Sequence, residues 1–201
     1  MLGNDVVDLG DPETRAARHP RFDARVFTRE ERAALARAAD PERLRWSLWA
    51  AKEAAYKCLK KLEPGTCFSP VRFAVRLAPD QQTGGVEIGG RRLRVALFSQ
   101  GDALHAVATD AGDPARSVLR VVSERPAGED PAGDSRAVRA LARNAAAALL
   151  GCAAGELAFA REGRAPRLLR GGQPQRLDLS LSHHGRFRAA ALETRPGPGA
   201  V

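Results

Sequence analysis

Trp46-Ser-Leu-Trp49-Ala-Ala-Lys52-Glu53-Ala-Ala-Tyr56-Lys57 sets one acid and two bases among aromatic and alanine residues. Upstream, Asp40-Pro41 offers an N-cap with proline at the first helical position, and downstream Pro64-Gly65 is a stop signal, so one helix is expected from about 41 to 62. Leu44, Leu48, Ala51, Ala55, Leu59 and Leu62 recur at helical spacing and supply its buried stripe. Residues four apart share a face, so Trp49, Glu53 and Lys57 form a second stripe, with Lys52 about a quarter turn away. Taken alone, that stripe reads as a Glu-to-Lys surface pair worth a few tenths of a kcal/mol. The sharper alternative is a corner that binds an anion and a metal ion.

Working outward, Leu2 to Leu9 reads as a short strand, with Val6, Val7 and Leu9 apolar and Gly3 allowing close backbone approach beside Asp5. Asp5 and Asp8 then sit at or next to a strand end, where acids serve equally as turn residues or as ligands of a hard cation. Arg15, Arg18, Arg21, Arg25 and Arg29 follow among a few apolar anchors, by default a solvated face. Thr28-Arg-Glu-Glu31 has the capping-box pattern, so a helix is expected from about 29 to 39. From Ser69 the period becomes two. Val71, Phe73, Val75 and Leu77 predict a strand, Gly84-Gly85 a turn, and Leu93 to Phe98 and Leu104 to Thr109 two more strands, with Leu119 to Ser123 closing the same sheet.

Residues 125 to 135 are dense in proline, glycine and acid and read as a linker. Beyond it come a helix ending at Gly151, a strand at Glu156 to Ala160 and a loop at Gly163-Arg164-Ala165-Pro166. Leu177, Leu179 and Leu181 alternate with Asp178, Ser180 and Ser182, a half-buried strand running into His183-His184-Gly185, and Arg186 to Glu193 returns as its hairpin partner. The tail from Arg195 reads as disordered. The fold class expected is α+β, a pseudo-dimer of two similar lobes, each a helix packed on a small antiparallel sheet. The lobes span 1–124 and 136–201, joined by the linker at 125–135.

The 201 residues are 44% apolar, enough to bury a core, and carry a formal charge of +8 that comes from arginine, since the only lysines are Lys52, Lys57, Lys60 and Lys61. Such a surface favours polyanionic partners. Cys58, Cys67 and Cys152 are odd in number and form no C-x-x-C pair, so they read as reduced thiols. Asp5 and Asp8 stand where a signal peptide needs a basic start, and no segment approaches membrane-spanning length, which points to a cytoplasmic protein. Ser182 and His183 are neighbours on a strand and point to opposite faces, which disfavours a nucleophile-and-base pair and favours binding. No P-loop, G-x-G-x-x-G or H-E-x-x-H pattern is present.

Together, Gly3-Asn-Asp5, the Phe27-Thr-Arg-Glu-Glu31 segment and Trp49-Ala-Ala-Lys52-Glu53-Ala-Ala-Tyr56-Lys57 resemble the 4'-phosphopantetheinyl transferases, whose signature is a G-x-D strand with a W/F-x-x-K-E-x-x-x-K helix. Gly163-Arg164-Ala165-Pro166 resembles that family's G-K-P loop, and Leu179 to Phe187 its N-x-S-H-S-G segment. The resemblance implies transfer of phosphopantetheine from coenzyme A to a serine of an acyl or peptidyl carrier protein, with release of adenosine 3',5'-bisphosphate and Mg2+ on the pyrophosphate. It implies Asp5 and Glu53 as metal ligands, and Glu53 and Lys57 as catalytic residues. Arg164, Ser182 and His183 would hold coenzyme A, with Lys57 at a phosphate and Lys52 a further phosphate candidate.

Three departures stand out. The S-H segment comes last in the chain, as in the small holo-acyl-carrier-protein synthases, although this chain has a second half; a pseudo-dimer with the order of its lobes exchanged, acting as a monomer, follows. Val7 stands where two-lobed members carry a second acid, leaving Asp8 as the other acid at hand. Arg164 replaces the lysine of G-K-P, with an extra residue before the proline. Two other classes compete: a basic nucleic-acid-binding module, disfavoured by scattered arginines and few aromatics, and a homologue that binds coenzyme A or a carrier without chemistry.

Overall fold

The computed structural model describes residues 1–15, 21–162 and 165–195. Strand β1 (Leu2–Asp8) is followed by short helices α1 (Pro12–Arg15), α2 (Phe22–Val26) and α3 (Arg29–Leu35), then by the long helix α4 (Pro41–Leu62). Asp40 caps α4 by accepting from the Arg43 amide, and α3 carries the expected reciprocal box between Thr28 and Glu31. Strands β2 (Ala74–Leu77), β3 (Thr83–Ile88), β4 (Arg91–Gln100) and β5 (Ala103–Thr109) complete an antiparallel sheet in the order β1-β5-β4-β3-β2. The period-two run from Val71 is shorter than expected, because Pro70–Arg72 forms a 3-10 turn. Gly84 and Gly85, read from sequence as a turn, lie inside β3 and pair with Leu77 and Arg76.

The second unit opens with helix α5 (Pro114–Ser117) and strand β6 (Leu119–Glu124), followed by helix α6 (Asp134–Leu150) and strands β7 (Leu157–Glu162), β8 (Ala165–Arg170), β9 (Gln173–Pro174), β10 (Leu177–His184) and β11 (Phe187–Thr194). Strand β6 does not close the first sheet. It pairs with β11 in a sheet of order β10-β11-β6, while β7, β8 and β9 form a third sheet. The proline- and glycine-rich stretch from 125 therefore connects β6 to α6, two elements of the second unit.

The two units share an architecture. In each, an opening strand is separated by a helix from a hairpin that then pairs beside it, and both hairpins turn through two residues, Gly101-Asp102 and Gly185-Arg186, with the glycine at positive φ. The fold is α+β with this internal likeness. Helix α4 packs across β1, β5 and β4, burying Leu44, Leu48, Ala51, Ala55 and Leu59 in the larger core, and α6 covers β10 and β11 with Ala142, Ala145 and Ala146. At Gly3 the backbones of β1 and α4 approach so closely that a Cβ would lie 2.1 Å from the Ala54 carbonyl oxygen. No other residue fits there.

The units meet where β10 lies along the free edge of β1. Leu2 N donates to Asp178 Oδ2, Asn4 N to Ser180 Oγ and Asp8 N to His184 Nδ1, so alternate side chains of β10 satisfy the outward amides of β1. Lys61 Nζ locks the same seam by donating to Leu2 O, Asp178 Oδ1 and Leu179 O. The polar face of β10, part of a strand read from sequence as half-buried, is thus buried as well, since it meets backbone donors rather than water. Asp178→Ala leaves the Leu2 amide and the Lys61 ammonium short of an acceptor, and is expected to cost about 3 kcal/mol in urea unfolding. A loss well below 1 kcal/mol would mean that apolar contacts alone hold the seam.

Candidate active site

Odd-numbered residues of β1 face α4 and even-numbered ones face the second unit, because side chains alternate along a strand. Asp5 is therefore brought to the helix face that carries Glu53 and Lys57. Lys57 Nζ donates to Asp5 Oδ1 at 2.8 Å, with Lys57 30% and Asp5 14% exposed. Burial, and then the negative charge of Asp5, push the Glu53 carboxyl up to about 7, against the opposing pull of Lys57. Two acids and one base thus share a partly buried corner. Half-buried Trp49 and Tyr56 flank Glu53 on α4 and join Phe22, Trp46, Phe68 and Phe73 in a run of edge and tilted ring contacts.

Lys52 belongs elsewhere. It is fully buried, and its ammonium donates to both Glu31 oxygens at 2.8 Å and to the carbonyls of Pro70 and Phe73. The expectation that Lys52 holds a phosphate is corrected on this ground, since its three protons are spent on protein acceptors that no solvent ligand reaches. Burial lowers its pKa, opposed by Glu31. Glu31 in turn caps α3 through the Thr28 amide and accepts from the Val75 amide, tying α3, α4 and β2 together. The capping box announced Glu31 in the sequence, but nothing there pointed to its second partner.

Asp8 is also separate from the corner. Three positions from Asp5, it lies on the opposite face of β1, fully buried. Arg186 donates to it from Nε, Nη2 and its backbone amide, and Gly10 N donates as well. Burial pushes its carboxyl up, but the hydrogen bonds from Arg186 and Gly10 outweigh this and hold it down at about 2. Ser182 is 6% exposed and accepts from Asn4 Nδ2 at 3.3 Å, while Asn4 Nδ2 also meets His105 Nε2 at 3.0 Å. His183, on the other face of β10, is exposed and has no side-chain hydrogen bond among the described residues. Arg164 lies outside the described residues.

Among the described residues, no group of three or more His, Cys, Asp or Glu side chains is arranged to hold a metal ion. Asp5 and Glu53 supply two hard oxygen donors whose mutual repulsion a cation would relieve. That donor set fits Mg2+, which takes one or two carboxylates and keeps waters and substrate phosphates. Cys58 is buried and free, with its thiol pushed up to about 12 by burial; Cys67 and Cys152 are free too, the former exposed. No helix among the described residues is long and apolar enough to cross a membrane.

The chain belongs to the 4'-phosphopantetheinyl transferase superfamily, whose ACPS family model matches residues 1–108, more than half its length. The match covers β1 and α4, the elements that carry Asp5, Glu53 and Lys57, and stops before the Ser182-His183 hairpin. A comparison with curated proteins finds no match. Among solved structures, the chain is similar to the holo-[acyl-carrier-protein] synthase (AcpS) of Thermotoga maritima, at 14% identity over 86% of this chain and 83% of that one. The TM-score is 0.32, too low to carry residue correspondences.

Two outcomes test these placements. Lys52→Met strands the Glu31 carboxylate in the core and is expected to lower stability by about 3–5 kcal/mol in denaturant unfolding, an effect absent if Lys52 were a solvent-facing phosphate ligand. Glu53 behaves oppositely. Its folded pKa is raised from 4.5 to about 7, so the folded chain holds a proton that the unfolded chain releases, and stability falls as pH rises through this window. In chelator-treated protein, Glu53→Gln should therefore melt higher than the unaltered chain at pH 8 by roughly 2–4 kcal/mol, the gap closing towards pH 4.5. Equal melting at pH 8 would remove the buried-proton account.

Proposed function

We propose that the protein transfers 4'-phosphopantetheine from coenzyme A to a serine hydroxyl of an acyl or peptidyl carrier protein, releasing adenosine 3',5'-bisphosphate. The observation that supports this most is the meeting of Asp5 from β1 with Glu53 and Lys57 from α4, inside the segment matched by the family model. Mg2+, held by Asp5 and Glu53, would neutralise charge on the pyrophosphate.

The reaction forms a bond from the serine oxygen to the phosphorus that bears pantetheine and breaks the bond to the bridging oxygen of the leaving nucleotide. Glu53 accepts the serine proton directly or through one water. Lys57 places an ammonium where negative charge develops on the transferring phosphate; its present partner Asp5 keeps it aimed into the corner. His183, exposed at the end of β10, is free to meet coenzyme A. Ser182 accepts from Asn4 and retains its own proton to donate. Arg164 completes the proposed grip on the 3'-phosphate end. The net charge of +8 suits an acidic carrier surface and would speed its encounter.

Purified protein incubated with coenzyme A, Mg2+ and a panel of apo carrier proteins should raise the mass of at least one carrier by one phosphopantetheine group. Glu53→Gln should abolish the shift while leaving the fold intact, because it is near-isosteric and removes the base. No mass increase on any carrier sinks the reading, and full activity of Glu53→Gln removes that residue from the chemistry.

A further inference from the structure

On the side of the β1–β5 sheet away from Asp5, a pocket of about 200 Å3 opens between the two units. It is lined by the end of β4 (Phe98, Ser99, Gln100), by Ala103 and His105 of β5, and by Arg120 and Val122 of β6. Two of its polar side chains, Arg120 and His105, carry atoms with no counterpart among the described residues. Arg120 Nε and Nη1 are buried without a hydrogen-bond partner, and so is Nδ1 of His105, a residue only 2% exposed. Buried donors are nearly always paired, because each one left unmade costs about 1–3 kcal/mol.

The protonation pattern makes all three of these groups donors. Burial, with Arg120 and Lys57 adding to it, holds the His105 pKa down to about 3, so the ring is neutral at physiological pH. Asn4 Nδ2 donates to Nε2, which leaves the ring proton on Nδ1. The Arg120 guanidinium lies 3.3 Å from the centroid of the Phe98 ring, a stack that holds its plane fixed while leaving Nε and Nη1, on opposite sides of the group, uncommitted. A fixed guanidinium with uncommitted N–H groups attracts an oxygen of a carboxylate or phosphate. Among the described residues, no carboxylate lines the pocket.

Register gives the pocket a defined place in the fold. Ala103 lies opposite Asp8 in the first unit and Phe187 opposite Glu124 in the second, so Phe98 to Gln100 correspond to Ser182 to His184, and Arg120 corresponds to Asn4. On the β10 side of the seam these positions are filled by mutual hydrogen bonds. On the β4 side Ser99 accepts from Arg43 outside the seam, and the charged Arg120 guanidinium replaces the Asn4 amide.

We propose that this seam pocket is a binding site for a small oxyanion, a phosphate or carboxylate group gripped by Arg120 and His105 and distinct from the Asp5, Glu53 and Lys57 corner. The site is small for a nucleotide and suits a free anion or one on a short organic stem. Its occupation gives a partner to one orphaned Arg120 donor and to His105, and ties β5 to β6 across the seam.

The test uses the full chain in phosphate-free buffer, without coenzyme A or Mg2+, titrated separately with inorganic phosphate and with acetate. Chemical shifts of the Arg120 Nε–H and His105 Nδ1–H groups and the melting temperature are the readouts. Saturable binding of either anion is expected, with a rise in melting temperature, and the anion that binds identifies the source. Arg120→Gln should weaken it at least tenfold without lowering the melting temperature of the free protein, since it removes an unsatisfied charge. Should that variant fail to fold, Arg120→Lys keeps the charge and loses the planar guanidinium and its stack on Phe98, and must still bind more weakly. Lys57→Gln should leave the affinity unchanged. The inference is overturned if neither anion binds, if the arginine variants bind as the unaltered chain does, or if the response is lost in Lys57→Gln instead. None of these readings depends on transferase activity, so failure here leaves the proposed reaction standing, and failure of that reaction leaves this site standing.

Discussion

An edge strand must find partners for the amides on its open side, and in this chain that constraint decides how the two units meet. Strand β1 is paired with β5 on one edge only. On the other, side chains of β10 stand in for a missing strand, with Asp178, Ser180 and His184 receiving amides at every second or fourth residue. Side-chain acceptors reach farther than a neighbouring backbone, so β10 lies across the edge without joining the sheet. Exposed edges invite pairing with other chains, and this arrangement closes one.

Fixing β1 from both sides also fixes the corner of Asp5, Glu53 and Lys57. Gly3 presses the strand against Ala54 on α4, which sets the height at which Asp5 meets Lys57 and Glu53. Lys52, one residue from Glu53, anchors the same helix from the opposite direction through Glu31. Adjacent charged residues on α4 therefore divide their work, the inner one holding position and the outer one facing the corner. Arg186 closes the far end of β1, gripping Asp8 and reaching Asp102 in the equivalent hairpin turn.

Much of this was legible before any coordinates. The ends of α4, its buried stripe and the displacement of Glu53 and Lys57 followed from caps and from a 3.6-residue period, because both are local properties. The partnership of Asp5 with that helix was implied only by the family resemblance, since nothing local links residue 5 to residue 57. What the sequence hid were pairings across long separations. Leu119 to Ser123 has the period of a strand but no mark of which sheet it joins. Asp178, Ser180 and Ser182 look like a solvated face because alternation reports polarity, and a polar side chain buried against backbone amides has the same signature as one in water. Lys52 was read by its charge, although its place beside Ala51 and Ala55 put it on the flank of the buried stripe.

The seam also sets an order of events. Leu2 waits for an acceptor 176 positions further along the chain. During synthesis the first unit can assemble its five strands and α4 well before β10 has left the ribosome, and for that interval the open edge of β1 is dressed only by water. The first unit is therefore born with Asp5 and Glu53 in place but with the strand that bears Asp5 still able to fray, and the last two strands to emerge are the ones that make it rigid.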